Sequence, residues 1–135
     1  MSNILFIMDP IEQVNKRTDT SYCLMKGAMK RGHAIYYCQK NHISQHNNLI
    51  SFQAQKITAL VPEITPKKEK MVSERDIDII FIRSDPPFDQ QYLLMTWLLD
   101  NLTYKKIAII NHPSGLRSAN EKLWAMQFKD LMPDT

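Results

Sequence analysis

The sequence predicts a small doubly wound α/β domain, with a mainly parallel sheet and helices on both faces. Three observations carry this expectation. The apolar run at residues 4–8 is unbroken, and those at 77–82 and 106–110 carry one charge each, Asp78 and Lys106, near their starts, a pattern that suits strands covered on both faces. The segments between several of them carry helix caps and helical spacing, so strands alternate with helices as in βαβ crossovers. The length of 135 residues suits one domain with a single core.

The first strand ends at Asp9-Pro10 and runs into the polar loop "IEQVNKRT". Asp19 or Thr20 can cap a helix reaching about Arg31, with Gly32 as its C-terminal stop. "AIYYCQ" is rich in β-formers and gives a second strand. In residues 40–76, "NLISF" and "KITALV" read as two short strands that could pair as a hairpin, and "PEITPKKEKMVSERD" as a polar loop, the best candidate for mobility. After the strand at 77–82, Asp89 can cap a helix to about Asn101 with Leu94, Leu98 and Leu102 along one face. A strand at 106–110 follows. Ser118-x-x-Glu121 then forms a capping box that opens a final helix to about Lys129. Leu123, Trp124, Met126, Phe128, Leu131 and Met132 exceed the stripe that one core needs, which suggests a second apolar surface.

Composition narrows the function. The net charge is +3, and the lysines are scattered apart from Lys67, Lys68 and Lys70, so nucleic acid is not an expected partner. "MSNILFIMD" has no basic leader region, and no run approaches the roughly 20 apolar residues of a membrane span. A soluble cytoplasmic protein is expected. Cys23 and Cys38 lie in apolar-patterned segments without a ligand set, which points to reduced, buried thiols. With three glycines there is no GxGxxG or Walker motif, which argues against an ordinary dinucleotide fold.

In doubly wound sheets, ligands bind at the carboxyl ends of the strands. Three suspicious loops leave those ends: Asp9-Pro10, Arg83 to Asp89, and Asn111-His112-Pro113. Arg83 has two readings, a bidentate carboxylate ligand on a rigid strand end or an internal ion pair with Asp85 or Asp9. Pro86-Pro87 either stiffens that edge or simply ends the strand. Asp9 and Asp85 are acids of a site or residues of turns. Asn15, Asp19 and Ser21 serve as caps and turns, or with the helix N-terminus hold an anionic or zwitterionic ligand. Lys122, in the first turn of the expected last helix, opposes the helix dipole; it is a solvated lysine or a phosphate contact. His112 reads as a loop residue rather than a base.

The segments "IMDPI" with Asn15 after it, "DTSYCLMKGAMKRGH", "IFIRSDPPFD" and "NHPSGLRSANEKLWAMQF" together resemble the N-terminal domain of prokaryotic glutathione synthetase, an ATP-grasp ligase. The resemblance covers nearly the whole chain except residues 40–76. It implies a Rossmann-like pre-ATP-grasp substrate domain over residues 1–121, with residues 122–135 beginning the ATP-grasp region. It implies γ-glutamylcysteine and glycine as substrates, joined through an acyl phosphate, with ATP and Mg²⁺ as cofactors of the full-length enzyme and none bound to this chain. Arg83 then contacts the peptide, with Asn15 and Ser21 beside it, and Lys122 contacts ATP. Mg²⁺ ligands and catalytic residues would lie beyond Thr135, so the isolated chain is expected to be inactive, with the remaining ATP-grasp domain as its partner and a homo-oligomer as a further expectation. The family usually has lysine where Ser84 and His112 stand, which lowers the local charge here. The alternative is a non-catalytic α/β ligand-binding or interaction module derived from the same fold.

Overall fold

The computed structural model describes residues 1–104, 106–119 and 122–133, without the side chains of Lys122 and Leu123. Its sheet is mixed. The parallel half is built from β1 (Asn3–Ile7), β2 (Ala34–Cys38), β7 (Ile79–Ile82) and β8 (Ala108–Ile110), in the order β2-β1-β7-β8. The other half is antiparallel: β4 (Leu49–Ala59) pairs with β2, with β3 (Ile43–His46), β5 (Thr65–Pro66) and β6 (Lys70–Ser73). The α/β class and the parallel core follow expectation; the antiparallel extension is larger than the two short strands expected in residues 40–76 and is arranged around the single long β4.

β1 explains why its sequence is apolar throughout. Leu5 and Ile7 face one layer with β2's Tyr36 and Cys38, β7's Ile80 and Ile82, and Tyr92, Met95 and Leu99 of α2 (Gln90–Asp100). Ile4 and Phe6 face the other with Ile35, Tyr37, and Tyr22 and Met25 of α1 (Thr20–Lys30). The two helices therefore cover opposite faces. Phe6 stacks on Phe81 across the β1–β7 pair, with centroids 5.0 Å apart.

Both expected caps form. The Asp19 carboxylate accepts from the amides of Ser21 and Tyr22 at 2.6 and 3.1 Å, and Asp89 accepts from Tyr92 at 2.8 Å. Gly32, at φ +80°, ends α1 in a conformation that favours glycine.

Several expectations are corrected. "NLISF" and "KITALV" are one strand, in which Ile50, Phe52 and Ala54 keep one buried face while the polar Ser51 and Gln53 fall between them. Asn47 and Asn48, both at positive φ, turn β3 into β4 with a two-residue hairpin loop. The "polar loop" at 62–76 contains β5, β6, buried Val72 and the fully buried Glu74. The strands at 77–82 and 106–110 are shorter, beginning at Ile79 and Ala108. The buried positions of α2 are Tyr92, Met95, Thr96 and Leu99, while Leu94 is 54% exposed. An almost wholly apolar helix does not announce its inner face. Cys38 is buried, but Cys23 lies on the exposed side of α1. Instead of one final helix, His112 caps the short α3 (Pro113–Ser118), and a 3₁₀ segment with a kink at Phe128 spans Lys122–Leu131. The proposed capping partner Glu121 lies outside the described residues. Trp124, Met126, Phe128 and Leu131 are exposed, in keeping with a second apolar surface.

Candidate peptide-binding cleft

β1 connects through α1 to β2 on one side, and its other neighbour β7 leads through α2, on the opposite face, to β8. The crevice at the carboxyl ends of β1 and β7 is thus the topological switch point. A cleft of about 550 Å³ lies there, lined by Met8, Asp9 and Pro10 after β1, Asp19 to Ser21 at the start of α1, Lys40 after β2, and Arg83 and Asp85 to Pro87 after β7.

Local backbone bonding sets each charge in place. The Arg83 amide donates to Ile7 O at 2.7 Å, extending the β1–β7 pairing by one step. The Asp85 amide donates to Asp9 Oδ2 at 2.8 Å, tying the two strand exits together. The Arg83 Nε donates to Ser21 Oγ at 3.1 Å, which connects β7 to the first turn of α1. Ser21 is buried, and its partner is neutral, so the guanidinium charge is oriented without being cancelled. Among the described residues no carboxylate forms an ion pair with Arg83, and the salt-bridge reading is not the one this structure adopts. Its two terminal nitrogens make no hydrogen bond among those residues, so the guanidinium of this cleft-lining residue keeps donors for an acceptor.

Lys40 is the residue that sequence reasoning missed. Its Nζ stands 3.4 Å from Asp89 Oδ2 and 5.7 Å from the centroid of the Tyr92 ring. A signal existed: β2 is β1's partner in the first βαβ unit, so the residue just beyond β2 shares the same edge. Tyr92 senses the whole group. Burial pushes its hydroxyl's pKa up, the Asp9 and Asp85 carboxylates push it further, and Arg83 opposes them.

The other candidates divide. Ser21 and Asp19 line the cleft. Asn15 is exposed, is not among the lining residues, and accepts from the Arg17 amide in a local turn. His112 lines a separate cavity with Leu99, Leu102, Tyr104 and Ile109, and its Nδ1 accepts from Ser114 N at 3.3 Å. Ser84 is buried beside a smaller cavity with Phe88 and Tyr92, its hydroxyl without a hydrogen-bond partner among the described residues. The Lys122 side chain lies outside the described residues. Among the described residues no group of three or more His, Cys, Asp or Glu is gathered for a metal, and no glycine lines the cleft to cradle a phosphate. No helix among the described residues is long and apolar enough to cross a membrane.

A mixed-charge cleft at the switch point of a doubly wound sheet lies where domains of the α/β class take their ligands. Residues 2–117 match the family described as prokaryotic glutathione synthetase, N-terminal domain, and the chain belongs to that family. It is 35% identical, over 144 aligned positions, to the glutathione synthetase of Nostoc sp. (strain PCC 7120 / SAG 25.82 / UTEX 2576), covering 98% of this chain and 44% of the relative. The glutathione synthetase of Gloeobacter violaceus is 34% identical over 98% of this chain and 43% of the relative. That of Vibrio parahaemolyticus is 32% identical over 100% of this chain and 44% of the relative. The chain spans less than half the length of these curated relatives.

Proposed function

We propose that this chain is the peptide-binding N-terminal domain of an ATP-dependent ligase that joins γ-glutamylcysteine to glycine. The observation that carries the reading is Arg83: a guanidinium fixed by a neutral serine, aimed into a mixed-charge cleft, in a chain of this family. A rigid fork of donors suits a peptide carboxylate, and Asp9 and Asp85 suit the peptide's ammonium group. Ser21 acts through Arg83 as a positioning residue.

The chemistry asked of the cleft is to hold and orient. Fixing the dipeptide lowers the entropic cost of bringing its reacting carboxylate to a nucleophile. In this reading residues 1–121 are the substrate domain and Lys122 would contact ATP at the border with a second domain of the ATP-grasp kind, where ATP and Mg²⁺ would supply the activation of that carboxylate. Asn15 shapes the turn that leads into α1, close to the peptide but not in contact with it. The enzyme is a cytoplasmic one.

Two assays test the reading. The 135-residue chain alone, given ATP, Mg²⁺, γ-glutamylcysteine and glycine, forms no glutathione; detectable product would overturn the division of labour. A chimera that carries this chain in place of the matching segment of the Nostoc relative forms glutathione and loses at least roughly tenfold in kcat/KM as Arg83→Ala, as removal of a charged hydrogen-bond partner predicts. A folded but inactive chimera would favour a non-catalytic binding module.

A further inference from the structure

We propose that Lys40 is a second carboxylate-binding residue, so that the cleft selects a dicarboxylate: Arg83 takes one peptide carboxylate and Lys40 the other. This inference rests on the reading of the cleft as a γ-glutamyl peptide site. γ-Glutamylcysteine carries two carboxylates and one ammonium at neutral pH. The cleft lining carries two cations, Lys40 and Arg83, and three carboxylates, Asp9, Asp19 and Asp85. Asp19 is committed to capping α1, and Asp9 already accepts from the Asp85 amide. With Asp9 keeping its other oxygen, two cations remain beside the Asp9 and Asp85 carboxylates, a pattern complementary to the dipeptide's two carboxylates and one ammonium.

Lys40 is placed but not saturated. Its side chain is only 17% exposed, and its contact with Asp89 Oδ2, at 3.4 Å, is long for a charge-assisted hydrogen bond. Asp89 spends its other oxygen on the Tyr92 amide at the start of α2. The Tyr92 ring supports the ammonium from one side without supplying an acceptor. An ammonium has three donors, and a ligand carboxylate entering the cleft would satisfy those that Asp89 does not.

Calorimetric titration of three peptides tests this: γ-glutamylcysteine, γ-glutamylcysteinamide without the C-terminal charge, and 4-aminobutyrylcysteine without the α-carboxylate. The wild-type chain weakens about tenfold on loss of either carboxylate, in line with a charged hydrogen bond at a partly buried site. Lys40→Met becomes indifferent to loss of one carboxylate and stays sensitive to loss of the other; Arg83→Ala shows the reverse pattern. Asp89→Asn, which keeps a good cap for α2, retains the wild-type pattern. Lys40→Met sensitive to both losses, or Asp89→Asn behaving like Lys40→Met, would overturn the proposal while leaving the peptide site standing. A wild-type chain that binds none of the three overturns the peptide site itself, and Lys40's role with it.

Discussion

Arg83 illustrates how one neutral contact decides a residue's chemistry. Paired with Asp9 or Asp85, it would be a structural cation; held by Ser21 Oγ at 3.1 Å, it keeps its charge for a ligand. Glu74 is the opposite case, a buried charge spent wholly on structure. Its Oε1 accepts from the Thr103 hydroxyl and from the Thr103 and Tyr104 amides, and its Oε2 from the Ile50 amide, so it binds β4 to the loop before β8. Burial alone would raise its pKa, but these hydrogen bonds outweigh burial and hold the carboxyl below its ordinary 4.5. A depressed native pKa contributes stability that is fully present above the ordinary value and is lost as pH falls through the native one. Glu74→Gln should therefore cost about 1–3 kcal/mol at pH 7, and the gap between its urea midpoint and the wild type's should close as pH falls from the ordinary value of 4.5 through the depressed native one. A constant gap across pH would show that the charge is not the stabilising feature. Residue roles were unevenly legible. Asp19 and Asp89 could be read as caps because capping is local, whereas Lys40 and Glu74 act through partners 49 and 24 or more positions away.

At the element scale, the β3–β4 hairpin is where local sequence and structure meet most tightly. Asn47 and Asn48 sit at φ 48° and 61°, the left-handed region that a two-residue hairpin loop demands and asparagine tolerates. Asn48→Val should lower stability by about 1–2 kcal/mol, while Asn48→Gly should match or exceed the wild type, read as the shift in thermal midpoint. Equal loss in both variants would place the asparagine's value in its side chain instead. The Asn-Asn pair was a usable signal that went unused, because the flanking "ISQH" has only Ile43 buried and does not look like a strand. β4 was misread for a related reason: "QAQ" breaks apolar continuity but not alternation, and Ala54 keeps the buried face intact. Antiparallel strands with one solvated face show period two rather than runs, so they are quieter than β1, β2 and β7.

Across the whole molecule, the doubly wound half places the cleft, and the antiparallel half completes the sheet beside β2. The parallel half was readable from apolar runs, and with it the edge where Asp9 and Arg83 meet. That Ser21 rather than a carboxylate would hold Arg83 was not readable, since it depends on how α1 starts above β7, a distance of 62 residues in sequence. The exposed Trp124 and Phe128, edge to face at 5.6 Å, and Leu131 form an apolar surface on the chain's last described segment. The family of prokaryotic glutathione synthetase gives the cleft its proposed ligand. Isothermal titration of glutathione into the 135-residue chain and its Arg83→Ala variant tests that claim most directly. The account predicts saturable binding by the wild type, weakened about 10- to 100-fold in the variant, as loss of a charged hydrogen-bond donor implies. Equal affinity in the two proteins, or no binding by the wild type, would contradict it.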